Sequence, residues 1–422
     1  MARLQLSFAS QVCCIVAVFV IVIQLTSCSG TASSGMSSSP STSSGSSGGS
    51  GSGGSGSGGS GSGGSAPSTP TYAGGIGAAG QNTAAQFLYA AQVPAGVPAS
   101  TKINQQNGTL SAVSSPPVTN ANNPLMLAID PSGSYLYETS QNGILAYAIN
   151  RQSGALTQIT GSPFNGIQSL VSITVDPRGK FVYATGSTGV WGYSIQTGGK
   201  LAPIAGSPFP TAAPSSQFGV YNSLAIDAND KFLYVTASPG IFAYTIDANT
   251  GALTGIGGSP FKAGNAPLSL VITPSNKFLY ETNASDPTTY GFSIDQNTGV
   301  LTEIAGSPFT TVSGNAPIAD NMTIAVSGKF LYISNRGTFS VDPNTGALTR
   351  VSSFVPGDWP VVDPTGNFLW AITTDQNCWH CDIGVSAYTV DPNSGNLTLV
   401  PNSFFIMNNS FSGAVVSLAI TK

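Results

Sequence analysis

A short aromatic strand returns seven times in this chain, and that recurrence constrains the fold more than any other feature. It reads Phe87-Leu88-Tyr89, Tyr135-Leu136-Tyr137, Phe181-Val182-Tyr183, Phe232-Leu233-Tyr234, Phe278-Leu279-Tyr280, Phe330-Leu331-Tyr332 and Phe368-Leu369-Trp370. Intervals between the first aromatics are 48, 46, 51, 46, 52 and 38 residues, the length that four short strands and their turns require. One unit shows the grammar: "LMLAID", the turn "PSGS", "YLYET", a hairpin into "ILAYAI", then "NRQSG" leading into "ALTQIT". The turns carry Pro and Gly where a tight reversal needs fixed or positive φ, as in Asp130-Pro131-Ser132-Gly133, Asp176-Pro177-Arg178-Gly179 and Asp363-Pro364-Thr365-Gly366. Loops such as Asp247-Ala248-Asn249-Thr250-Gly251 join third strand to fourth. "GSPF" at 161, 206, 258 and 306 closes a unit, its Phe expected under the neighbouring blade.

The ends of the array predict how it closes. A first strand precedes six of the aromatic strands, but none precedes Phe87. The missing one is Val415 to Thr421, "VVSLAIT", which matches "SLAID" at 223–227. The expected fold is an all-β, seven-bladed β-propeller over residues 86–422, closed by pairing of the C-terminal strand with the N-terminal blade. Closure by strand pairing removes exposed edges. A charged fraction of only 7%, with 51 Gly and 28 Pro, suits short strands and turns rather than long helices.

The composite pattern "DPxGKFLY", "Y.ID..TGaLt", "GSPF" resembles the YVTN-type repeats of the seven-bladed lactonase-like propeller family, which includes the bacterial 6-phosphogluconolactonase. The resemblance implies the fold over the whole body from 86 to 422. For activity it implies opening of a lactone ring, although no motif carries the family's catalytic residues onto positions of this sequence.

Ahead of the ring lies an address. Arg3 supplies a minimal positive start, and Val12 to Ile23 is an apolar run too short to span about 30 Å of hydrocarbon. Leu25-Thr26-Ser27-Cys28 follows, resembling a bacterial lipobox, with Cys28 the residue that would carry the lipid. Residues 1–28 therefore read as a lipoprotein-type signal, 29–67 as a Ser/Gly-rich tether and 68–85 as a lead-in. The tether has too little apolar surface to order itself, and its r.m.s. reach is about 35 Å. The expected location is exported and membrane-anchored, on the outer membrane where one exists.

In a four-stranded blade, turns joining first to second and third to fourth strands lie on one face. Second-to-third hairpins and blade-to-blade connections lie on the other, where propeller ligands bind. Arg178, Lys180, Lys231, Lys277 and Lys329, with Lys102, Arg151 and Lys200, sort to the turn face; only Lys262 and Arg336 sort to the hairpin face. Scattered cations and a net charge of -4 leave no footprint for a nucleic acid. Candidate bases on the hairpin face are His380, Glu138, Glu281, Asp320 and Asp358, with Arg336 and Lys262 as anion holders. Each also has an ordinary reading as a solvated strand end, loop cap or hairpin charge.

Two functions follow. An exported ring with a weakly charged Ser, Thr, Asn and aromatic surface suits a monomeric binding module for envelope glycan or protein, and this is the leading expectation. The alternative is a lactone hydrolase with its site at the hairpin-face mouth of the channel. Cys378-Trp379-His380-Cys381 sits in a hairpin about eight residues longer than its siblings. In an oxidising compartment Cys378 and Cys381 are expected to form a small disulfide, leaving Trp379 and His380 to touch a ligand. A metal is not expected there, since adjacent His and Cys rarely reach one tetrahedral ion. No cofactor is expected.

Overall fold

A computed structural model of the chain describes residues 86–93, 98–116, 124–164, 170–186, 189–211, 223–237, 239–264, 266–283, 287–311, 321–334, 336–354, 357–374, 383–408 and 414–421. The signal, tether and lead-in lie outside these residues, as do Asp320, Cys378, Trp379, His380 and Cys381.

The strands form seven antiparallel four-stranded sheets, six with their four strands in sequence order, and three sheets are extended by a short fifth strand. We number the blades one to six from residue 127 onward and call the blade containing Phe87 the seventh. First strands Leu127–Ile129, Ile173–Val175, Leu224–Ile226, Pro267–Ile272, Met322–Ile324, Asp358–Val362 and Ala414–Ile420 pack side by side, and the last returns to the first. This is a closed seven-bladed propeller. Its seventh blade is composite: Ala414–Ile420 pairs antiparallel with Phe87–Val93, beginning at Leu88↔Ile420. Phe87 N–H also donates to Thr421 Oγ1 at 3.0 Å.

The repeated aromatic triplet is explained by the joint between blades. The tyrosine of each second strand reaches the third-to-fourth turn of the following blade and donates its hydroxyl to a glycine carbonyl there. Tyr89 bonds Gly154, Tyr137 bonds Gly199, Tyr183 bonds Gly251, Tyr234 bonds Gly299 and Tyr280 bonds Gly346, at 2.6–3.1 Å. Trp370 does the same through Nε1 to Gly108 at 2.8 Å. Tyr332 is the exception, its hydroxyl buried without a partner. At all seven joints the first aromatic of the triplet lies against that glycine, so a Cβ there would come within 2.3–2.7 Å of a ring carbon. The aromatic triplet on one blade and the loop glycine on the next are thus two halves of one contact.

"GSPF" has a second task besides the one its sequence suggested, since its Phe does pack against the core shared with the next blade. The serine Oγ accepts a third-strand N–H of its own blade, for example from Ala146 to Ser162 at 2.9 Å and Ala243 to Ser259 at 3.0 Å. The phenylalanine then pairs antiparallel with that same strand, as Ile241↔Phe261 and Thr289↔Phe309 do. It therefore caps an edge that the three-residue fourth strand leaves open. Phe209 still joins the core shared with the next blade.

First-to-second turns show one local conflict. Their fourth residue adopts positive φ, supplied by Gly133, Gly179, Gly328 and Gly366, but by Asp230 and Asn276 in blades three and four. Asn276 reaches the preceding turn, where its Oδ1 accepts Ala228 N–H at 2.8 Å. Asp230 reaches toward the turn of blade two, but there Pro177 stands in place of Ala228 and has no N–H to give. Its carboxyl lies instead against the Asp176 carboxyl, with Arg178 Nε 3.4 Å away.

Burial, and then the neighbouring Asp176 carboxyl, push Asp230 up to about 7. An unfolded aspartate titrates near 3.9, so the fold holds this proton more tightly than the unfolded chain does. Stability from this group is therefore lost as pH rises from about 4 to about 7. Asp230→Asn, copying Asn276, is expected to raise the melting temperature at pH 8 by about 2–4 °C. The gain should shrink at pH 5; an identical shift at both pH values would contradict the assignment.

Candidate functional site

The residue following the aromatic triplet is apolar in five blades: Ala90, Ala184, Val235, Ile333 and Ala371. In blades one and four it is Glu138 and Glu281. Strand residues two apart share a face, so each glutamate occupies the inter-blade position of Leu136 or Leu279 and is buried, with no exposed surface. Neither is a solvated strand end. Placing the triplets in register would have revealed both, because a carboxyl replacing an Ala or Val of a core strand stands out even when the residue alone does not.

Glu138 Oε2 accepts the Tyr147 hydroxyl at 2.9 Å, while Oε1 has no partner. Burial pushes its carboxyl up to about 8, offset in part by the Tyr147 bond. It is thus mostly a neutral acid at pH 7.

Glu281 belongs to a larger network. Its Oε1 accepts Leu268 N–H at 3.3 Å, and the Asn283 amide donates to both carboxyl oxygens at 3.1 and 3.0 Å. Asn283 carries the connection onward: its backbone carbonyl accepts Arg336 Nη2 at 3.0 Å. Arg336 Nη1 donates to Thr288 O at 2.7 Å and Thr311 Oγ1 at 2.8 Å. Thr311 Oγ1 lies 3.1 Å from Thr289 Oγ1. Arg336 follows the second strand of blade five, yet its guanidinium crosses to the hairpin of blade four, and the residue is 3% exposed. Arg350 supports it from the fourth strand, donating to the Arg336 carbonyl at 2.8 Å and to the Thr311 carbonyl. Its guanidinium also stacks 5.0 Å from the Phe339 ring centroid.

Burying a charge costs several kcal/mol unless hydrogen bonds replace its water. Here the replacement is visible bond by bond, on the hairpin side of two adjacent blades. The remaining described candidates stand apart. Lys262 is exposed on the short return strand Phe261–Lys262, opposite Gly240. Asp358 is exposed at the head of the blade-six first strand. The Thr311, Thr289 and Asn283 contributions escaped sequence reasoning, since uncharged residues in a Thr- and Asn-rich chain give no signal of their own. Among the described residues no group of three or more His, Cys, Asp and Glu could hold a metal ion.

The family model described as lactonase, seven-bladed β-propeller matches residues 89–410. The chain belongs to this family. Solved structures repeat the fold at low identity. A Bacteroides fragilis protein described as a 6-phosphogluconolactonase is 19% identical, with a TM-score of 0.64, over 82% of this chain and 100% of its own. A Lactobacillus plantarum protein is 18% identical, with a TM-score of 0.64, over 81% of this chain and 100% of its own. The periplasmic gluconolactonase of Pseudomonas aeruginosa is 18% identical, with a TM-score of 0.59, over 76% of this chain and 97% of its own. A comparison with curated proteins found no match. At these identities the lactonase propellers share an architecture with this chain, and the site must be argued from its own residues.

Proposed function

We propose that this propeller hydrolyses lactones on its hairpin face, and that it works outside the cytoplasm, held to a membrane through a lipid on Cys28. The observation that carries the activity is the buried Glu281, Asn283 and Arg336 network, a set of polar groups that the repeat itself does not call for. Family membership supports lactone hydrolysis over a purely binding role. The exported location rests on the lipobox-like Leu25 to Cys28 segment.

Lactone hydrolysis needs water added to the ring carbonyl, stabilisation of the oxyanion that develops, and a proton for the departing ring oxygen. In this reading the buried Arg336, whose donors go to Thr288, Thr311 and Asn283, acts from beneath the hairpin face as a fixed positive field toward which the oxyanion develops, and does not bond it. Glu281 and Asn283 hold the hairpin that aims it, as positioning residues. Glu138, a neutral acid at pH 7, belongs to a different blade and has no part in this set.

Purified protein is expected to hydrolyse aldonolactones. Arg336→Gln, which removes the buried charge and its bonds, should lower kcat by at least about tenfold, with KM changed far less. Glu281→Gln, which keeps the shape of the side chain, should lose less. Fractionation of cells making Cys28→Ser is expected to move the protein from membrane to soluble fraction. A parent protein that turns over no lactone, at a concentration where its fold is intact by melting, would remove the enzymatic reading and favour the binding module.

A further inference from the structure

Among the described residues the large apolar side chains left exposed are Val351, Phe354, Leu399 and Ile406. All four lie on or just after the outer strands of two adjacent blades, five and six. Leu399 is 53% exposed and stands opposite Tyr388; Ile406 is 41% exposed and stands opposite Gly384. Gly384 and Tyr388 are four apart on the strand Ile383–Val390, so Leu399 and Ile406 project from one face. Phe354 lies edge-on to the Tyr388 ring at 5.7 Å, and a Cβ on Gly384 would come within 2.8 Å of the Phe404 ring. Phe354, Leu399, Phe404 and Ile406 therefore form one apolar strip along the rim.

The register of the repeat shows what blade six has exchanged. Opposite the Tyr388 position, blades one to five carry Gln158, Pro203, Gly255, Glu303 and Arg350, where blade six has Leu399. Opposite the Gly384 position, blades three and four carry Lys262 and Thr310, where blade six has Ile406. The serine that closes the edge is followed by Pro163, Pro208, Pro260 and Pro308 in blades one to four. Ser403 accepts Ala387 N–H at 3.1 Å in the same manner, yet Phe404 follows it. Charged side chains and Pro are what keep a strand edge from pairing with another chain, and at these three positions blade six has neither. Its outermost strand Phe405–Asn408 is also four residues long, against two in blades three and four. On its other side that strand pairs with nothing among the described residues.

We propose that this edge pairs with the same edge of a second copy of the chain across a two-fold axis. Two identical edges run antiparallel about such an axis, each supplying the N–H and C=O groups that the other leaves open. Centred on Phe405, the pairing sets Phe404 opposite the second copy's Ile406 and the reverse, an aromatic against a β-branched side chain on one face. From residue 392 to 421 the chain holds no charged residue, so two copies meet here without opposing like charges. An anionic membrane surface would call for Lys or Arg, which this edge lacks. The contact lies on the outermost strands and leaves the channel mouth of each ring open. It replaces the monomeric ring expected from the sequence, and it does not depend on the activity proposed above.

Sedimentation velocity of the full chain carrying Cys28→Ser, so that neither lipid nor detergent takes part, tests the proposal. Concentrations of about 1 µM and about 100 µM bracket the weak association of a small interface. Expected is a monomer at the lower concentration and a dimer at the higher. Leu399→Glu and Ile406→Lys copy Glu303 of blade four and Lys262 of blade three, so the fold should accept both with an unchanged melt. Each is expected to raise the dimer Kd at least about tenfold, because it sets like charges against each other across the axis. A parent chain that stays monomeric at both concentrations overturns the inference, whether or not it then binds vesicles of phosphatidylglycerol. A dimer that both variants leave intact overturns it as well, since that dimer would use another surface.

Discussion

Deleting residues 414–422 is expected to abolish the cooperative fold. Ala414–Ile420 is the innermost strand of the seventh blade, and its register with Phe87–Val93 runs from Leu88↔Ile420 to Val93↔Ala414. Leu418 and Ile420 lie in the core shared with blade six, and Ala419 in the core shared with blade one. Burying Leu and Ile contributes about 1.5–3 kcal/mol each, and each ladder hydrogen bond adds about 1 kcal/mol. The sum approaches the roughly 5–15 kcal/mol that separates a typical domain from its unfolded state. Deletion also bares the edge of Phe87–Val93, which would then recruit other chains. Circular dichroism on heating and sizing of the truncated chain decide the matter. A monomer with a sharp melt would show that the ring holds without its clasp.

Two glycines of blade one make a matched pair for the second large effect. Gly133 has φ +66° with nothing within 4 Å of where a Cβ would stand; Gly154 has φ +77°, and a Cβ there would lie 2.3 Å from Phe87 Cδ1. Both substitutions to Ala meet the same left-handed penalty, about 1 kcal/mol. Only Gly154→Ala must also displace a buried ring, and overpacking a core adds about 1–3 kcal/mol. The Gly154 carbonyl accepts the Tyr89 hydroxyl at 2.9 Å as well, so any shift that relieves the ring strains this bond. Gly133→Ala is therefore expected to cost about 1 kcal/mol and Gly154→Ala about 2–4 kcal/mol, read from denaturant midpoints. Equal costs would mean that the aromatic contact does not hold the blades together.

The ring was legible in the sequence because its inter-blade contact is written in residues that few other contacts need. Phe and Tyr two apart, and Gly in the loop of the next unit, recur because every joint uses them. The missing first strand before Phe87 located the clasp for the same reason. Burial of the charged candidates was not legible one residue at a time. Glu138 and Glu281 look like strand-end charges until the two-residue period places them beside Leu136 and Leu279. Arg336 looks like a hairpin tip because its acceptors are far away in sequence, 48 residues to Thr288 and 25 to Thr311. Neighbouring blades meet in space through residues about one repeat apart, so a local reading cannot see what a side chain at one blade's end will touch. Asp230 is a milder case: its difficulty arises from Pro177, one repeat earlier.

The composite blade also has a mechanical side. Phe87 and Thr421 sit at the same end of an antiparallel pair. Tension applied to both ends at once would therefore peel the clasp open like a zipper, one pair at a time from Leu88↔Ile420, instead of shearing all its bonds together. A ring held by many simultaneous contacts would yield to a two-ended pull at one seam. A pull on one end alone would not load that seam in this way.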